Sequence, residues 1–155
     1  MIRTLPNRIL GLDYGLARIG MALSDESQTI ATPLHVCFAE KKVERTVQKI
    51  VLEVNDLQKK FVCVIEEVVV GMPLMMSGRK GLQADEVSHF VELLKVALQI
   101  PVATWDERLT TVQAERSLRE TSMSRQKRSK VIDTVAAVLI LQNFLDHKKN
   151  DLAKK

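Results

Sequence analysis

Apolar residues recur along this chain with two different periods, and the switches between them mark the elements. Ile9-Leu10-Gly11-Leu12 and Ile19-Gly20-Met21-Ala22-Leu23 are short, nearly continuous apolar runs with Gly15 between them. That is the pattern of two buried strands in a hairpin, with Asp13 near the end of the first. Ser24 to Gln28 is turn chemistry. Thr29 to Phe38 then reads as extended, with Leu34, Val36 and Phe38 on one face and His35 and Cys37 on the other. Pro33 predicts an edge position or a bulge there, because proline cannot donate to a ladder.

From Val43 the period changes. Val43, Val47, Ile50, Val54, Leu57 and Phe61 recur at three- and four-residue spacing, with charged residues between them, which predicts an amphipathic helix ending about residue 60–65. Val68-Val69-Val70 marks a strand near 67–71, closed by Gly71-Met72-Pro73. Ala84 to Gln99 reads as a helix with Val87, Phe90, Val91, Leu94 and Leu98 inward and His89 at the surface. Pro101 to Trp105 is a short strand. Thr110 and Gln113 resemble a capping box that opens another helix. Ser124 can cap the last helix, apolar almost all round from Val131 to Leu145, which predicts burial on most sides. The polar tail after His147 is expected to fray.

The order is three strands, helix, strand, helix, strand, helix, helix. It predicts one α/β domain over residues 1–150 and a disordered tail at 151–155. The mixed five-stranded sheet has its antiparallel strands at one side and helices on both faces. A chain of 155 residues has room for one proper core. No stretch is apolar enough to span a bilayer, and Met1 to Arg8 lacks the apolar region of a signal peptide. Cys37 and Cys63 sit in apolar runs without ligand spacing, as reduced core thiols of a cytoplasmic protein would. His35, His89 and His147 form no zinc-type pair.

The net charge is +4, but Arg116 to Lys130 alone holds six cations against Glu120. A charge run is ordinarily a solvated face. Beside acids that hold metal it becomes a phosphate-binding rim. Three acids stand where a site could form. Asp13 follows the first strand run, Glu107 sits between a strand end and a helix start, and Asp133 interrupts the apolar last helix. Each has a plain structural alternative: a turn aspartate, a loop glutamate, a helix-dipole aspartate. Ala136 and Ala137, one turn after Asp133, would let that helix approach the sheet. Three carboxylates brought together repel, and a divalent cation removes the conflict. Hard oxygen ligands without His or Cys favour Mg²⁺ or Mn²⁺, most simply as two ions acting on a phosphodiester.

The chain resembles the YqgF family in Gly11-Leu12-Asp13-Tyr14-Gly15 with Arg18-Ile19-Gly20, and in Val70-Gly71-Met72-Pro73-Leu74. The likeness continues in Asp106-Glu107-Arg108-Leu109-Thr110-Thr111 and in Asp133-Thr134-Val135-Ala136-Ala137 onward to Leu141. It covers about Arg8 to Asp146. The resemblance implies an RNase H-like fold and a nuclease acting on precursor 16S rRNA or on Holliday junctions. It puts the acidic triad on Asp13, Glu107 and Asp133, with Arg18 and Lys130 beside it. One departure is Met75, where the family's Gly-Leu-Pro-Leu-Asn loop has its asparagine. An amide hydrogen bond cannot come from that position.

Together these readings predict a metal-dependent nuclease that processes the 5′ end of precursor 16S rRNA, acting as a monomer or weak homodimer. Asp13, Glu107 and Asp133 are its catalytic metal ligands. Arg18, Arg79, Lys80, Arg108, Arg125, Lys127, Arg128 and Lys130 are the expected nucleic-acid contacts. The alternatives are a resolvase of branched DNA and a non-catalytic RNA- or ribosome-binding module. The Gly-x-Asp-x-Gly hairpin also resembles the first phosphate loop of the actin and sugar-kinase superfamily, but the chain has room for one such domain and shows no second loop.

Overall fold

A computed structural model describes residues 4–15, 17–72, 82–106 and 125–153, with the backbone alone given at 82–83, 125–133 and 152–153. The chain opens with β1 (Asn7–Tyr14), β2 (Arg18–Ser24) and β3 (Ala31–Phe38). Helix α1 (Val43–Phe61), strand β4 (Val64–Met72), helix α2 (Leu82–Leu98), strand β5 (Val102–Asp106) and helix α3 (Arg125–Ala153) follow. The sheet order is β3-β2-β1-β4-β5. β1 pairs antiparallel with β2, and β2 with β3, whereas β1–β4 and β4–β5 are parallel. The mixed five-stranded sheet expected from the sequence is therefore present, with β1 at its centre.

Alternation along β1 builds two cores. Leu10, Leu12 and Tyr14 join Ile50, Val54, Val87, Phe90 and Leu94 in the larger one, between the sheet and helices α1 and α2. Ile9 turns the other way, into a smaller core with Ala22, Val69, Ala137, Ile140 and Leu141 under α3. Period-two geometry puts Gly11 and Asp13 on that same α3 side. The direction of α3 follows from its contacts. Ala137 and Leu141 lie at Gly11, Gln142 holds the backbone of Thr29 and Ala31, and Lys148 meets Glu67 at the start of β4. α3 thus runs opposite to β1, with its N-terminal half toward the C-terminal ends of the parallel strands.

α1 ends inside the expected range, whereas the strands on either side of it depart from expectation. α1 stops at Phe61 because Val62 takes a left-handed conformation (φ 49°), which lets the Cys63 N–H donate to the Gln58 carbonyl. β4 then starts at Val64, earlier than the expected 67. In β3 the alternation breaks. Gly20 pairs with Val36 but Ala22 with Pro33, so an extra β3 residue bulges opposite Met21. The bulge lets Leu34 pack against the same large core that holds Cys37 and leaves Phe38 57% exposed, where unbroken alternation would set Leu34 and Cys37 on opposite faces. Pro33 sits beside this bulge on an edge strand.

α3 is not buried on most sides. Ala136, Ala137, Ile140, Leu141 and Leu145 form a single buried stripe, and Val135, Val138 and Leu139 are half-buried. Nor does it fray after His147. It stays helical to Ala153, into the stretch expected to be disordered, with His147 Nε2 3.3 Å from the Asp151 carboxylate one turn on. The helix expected after Thr110 lies outside the described residues. Cys37 and Cys63 are buried free thiols, and His89 is exposed. No described helix is long and apolar enough to cross a membrane.

Candidate nuclease centre

Asp13 is half-buried near the end of the central strand. β1 pairs with β2 through Asp13↔Gly20 and Tyr14↔Ile19, and the Gly15 N–H closes the hairpin on the Arg18 carbonyl at 2.9 Å. A Cβ on Gly15 would come within 2.6 Å of that oxygen, so the tight turn needs glycine. Arg18 opens β2 on the α3 side of the sheet, diagonal to Asp13 across the hairpin, and is half-buried.

Gly11 decides how near α3 comes. A Cβ there would lie 2.7 Å from the Leu141 Cβ and 3.3 Å from the Ala137 carbonyl oxygen. Helix and strand backbones are therefore in contact at this point. The sequence reading credited the close approach to Ala136 and Ala137 and missed Gly11. A glycine inside an apolar strand was the available signal. From this crossing, residue 133 lies about 6 Å up the helix axis. Asp13 lies about 6.6 Å along the strand in the same direction. Residues 13 and 133 are thus each displaced from this crossing toward the C-terminal end of β1.

The third acid, Glu107, is outside the described residues, as are Arg79, Lys80 and Arg108. It follows Asp106 directly, and Asp106 ends β5 opposite Met72, the last residue of β4. β1, β4 and β5 are parallel neighbours, so this end also lies at the C-terminal edge of the sheet, where open α/β sheets carry their sites. Arg125, Lys127, Arg128 and Lys130 occupy the first two turns of α3, on the half of the helix directed toward that edge. Among the described residues no group of three metal-ligating side chains occurs.

Two aromatic residues close to the acids in sequence face elsewhere. Tyr14 adjoins Asp13 in sequence, but its ring packs at 4.6 Å on Phe90 in the opposite core. Burial, and after it the charge of Glu86, pushes the Tyr14 phenol above its ordinary value, so it stays protonated at neutral pH. Trp105 packs edge-on against Phe144 and His147 in the second half of α3.

Known proteins resemble this chain in sequence and in fold. A family model for RuvX, described as Holliday junction resolvase, matches residues 7–147. A relative from Protochlamydia amoebophila, described as "Putative pre-16S rRNA nuclease", is 57% identical over 141 residues, covering 91% of this chain and 94% of its own. One from Caldanaerobacter subterraneus with the same description is 48% identical over 144 residues, covering 92% and 99%. Among solved structures, T. thermophilus RuvC in complex with a Holliday junction substrate superposes with a TM-score of 0.51 at 16% identity, covering 92% of this chain and 95% of that one. The fowlpox virus Holliday junction resolvase gives 0.50 at 13% identity, covering 90% and 99%. These structural likenesses establish the fold as RNase H-like. With the fold, the near full-length family match and relatives at up to 57% identity in agreement, the chain belongs to the RuvX family of nucleases.

Proposed function

We propose that this protein is a metal-dependent nuclease that hydrolyses phosphodiester bonds of structured RNA and processes the 5′ end of precursor 16S rRNA. The observation that supports the reading is the helix–strand contact at Gly11, which seats α3 on the face of β1 that carries Asp13. The donor set fits a hard divalent cation. Asp13 offers carboxylate oxygen from a half-buried position, and its proposed partners Glu107 and Asp133 are carboxylates too. Bound there, Mg²⁺ or Mn²⁺ supplies Lewis-acid activation of water and of the leaving oxygen.

The chain's own residues do the rest. Asp13, on a central strand fixed by neighbours on both sides, gives the ligand set a rigid member. Arg18 supplies a fixed cation to a phosphate beside the cut. Arg125, Lys127, Arg128 and Lys130, with Arg79, Lys80 and Arg108, neutralise backbone phosphates on either side. One catalytic set makes one cut, which a monomer can do. The RuvX description favours branched DNA as a second reading. Two cuts at a four-way junction require two such sets, hence a dimer.

The test uses the purified full chain with precursor 16S rRNA and with a four-way DNA junction, in Mg²⁺ or Mn²⁺. We expect rRNA cleavage that Asp13→Asn abolishes while RNA binding persists or tightens, since one repulsive charge is gone. Turnover retained by Asp13→Asn refutes the assignment. Junction cleavage without rRNA cleavage, by a protein that dimerises at working concentration, selects the second reading.

A further inference from the structure

Across the sheet from Asp13, at the same end, lies a cleft of about 380 Å³ lined by Tyr14, Glu40, Lys41, Val43, Glu86 and His89. That volume is in the range of small-ligand sites. Its composition narrows the occupant. Val43 and the buried ring of Tyr14 give it an apolar floor. Glu40 is paired with Lys49 at 2.8 Å, which leaves Glu86, His89 and Lys41 as the polar groups free to act. Among the described residues these three have no hydrogen bond or ion pair. Glu86 and His89 are three residues apart on α2 and so stand on one face of it.

Glu40 is neutralised by Lys49, so a phosphate group would meet the unpaired carboxylate of Glu86 beside Lys41 and is disfavoured. A planar, uncharged ring with hydrogen-bonding edges suits the cleft better. Of the four nucleobases, guanine has two adjacent N–H donors, N1–H and the N2 amino group, which one carboxylate can accept together. Its O6 and N7 are acceptors for Lys41 or His89. Single-stranded RNA is read in this way, with an unstacked base set in a pocket and recognised at its edges.

We infer that this cleft is a guanine pocket that takes a base of the substrate RNA close to the scissile phosphate, with Glu86 accepting from the Watson–Crick edge. The inference rests on the proposed nuclease reading, because Tyr14 and Asp13 are consecutive residues on opposite faces of one strand. A strand of RNA cut beside Asp13 reaches the cleft by crossing the hairpin tip, where Gly15 presents no side chain.

Two measurements separate the pocket from the nuclease. In the first, the ring protons of His89 are followed by NMR as GMP, AMP, CMP or UMP is added to the metal-free protein. GMP should shift them selectively, and Glu86→Gln, which keeps one acceptor of two, should remove the effect. In the second, precursor 16S rRNA fragments differing in one base beside the cut are compared in Mg²⁺. The wild type should prefer guanine at one flanking position by about 10- to 100-fold, the worth of a good bidentate base contact. Glu86→Gln should lose the preference through a raised KM on the guanine-bearing RNA. The pocket is overturned by a His89 response that is absent or equal for all four nucleotides, or by active but base-indifferent cleavage. If no RNA is cut at all, the nuclease reading falls, and selective GMP binding alone decides the pocket.

Discussion

Replacing Gly11 with alanine adds one carbon where helix and strand touch, and its consequences can be worked through. The new Cβ would lie 2.7 Å from the Leu141 Cβ. Carbon atoms in contact sit at about 3.5–4.0 Å, so α3 must back away from β1 by about 1 Å. The obstructing atom is next to the helix backbone, and no rotamer change removes it. Overpacking of this kind costs about 1–3 kcal/mol. Restricting the unfolded chain by a Gly-to-Ala change returns about 0.4–1 kcal/mol. The net loss is small, and at about 2–4 °C per kcal/mol for a chain of this size Tm should fall by only a few degrees.

Cleavage should fall much further. The displaced helix carries residue 133 one turn from the contact, and a 1 Å error in a catalytic constellation can cost about 100-fold. Ile9→Val is the control. It removes one methylene from the same core, at about 0.5–1.5 kcal/mol, without wedging the helix. Thermal unfolding and rRNA cleavage of both variants are measured side by side. Gly11→Ala should lose activity out of proportion to its Tm, and Ile9→Val should not. Leu141→Ala in the Gly11→Ala background should fail to rescue, because alanine keeps the obstructing Cβ. A Gly11→Ala protein with wild-type melting and cleavage would refute the reasoning, as would equal activity losses in the two variants.

Val62→Gly should raise Tm, since a β-branched residue in the left-handed region at a helix C-terminus is strained by about 1–2 kcal/mol. Differential scanning calorimetry decides the sign. Asp25 accepts N–H bonds from Thr29 at 2.8 Å and Ile30 at 3.0 Å, and these, the Ile30 bond foremost, hold its carboxyl below the usual range. Its stabilisation is therefore present above the unfolded carboxyl's pKa of about 3.9 and is lost as pH falls through the lower folded value. The Tm advantage of wild type over Asp25→Ala should be constant from pH 7 to 5 and shrink below about pH 4. Gln142→Ala should cost about 1–3 kcal/mol in urea unfolding, because its amide joins α3 to Thr29 and Ala31 where the β2–β3 turn enters β3. RNA affinity should fall steeply with added salt and less steeply in an Arg125→Glu/Arg128→Glu variant, because phosphate contacts release counterions.

Much of this architecture was legible in the chain because it depends on near neighbours in sequence. The apolar runs of β1 and β2 identify buried strands whatever surrounds them, and the spacing from Val43 to Phe61 can be satisfied only by a one-sided helix. Asp13, alone at the end of such a run, was conspicuous for the same reason. The tertiary structure decided what depends on partners distant in sequence. The end of α1 at Val62 carries no glycine to announce it, because packing imposes the left-handed turn on a valine. That Leu34 and Cys37 face the same core comes from a bulge set by pairing with β2. Above all, the face of β1 on which Asp13 lies acquires meaning only when α3 settles on it. That depends on a glycine in the first strand and a leucine 130 positions later sharing space that admits no further carbon atom.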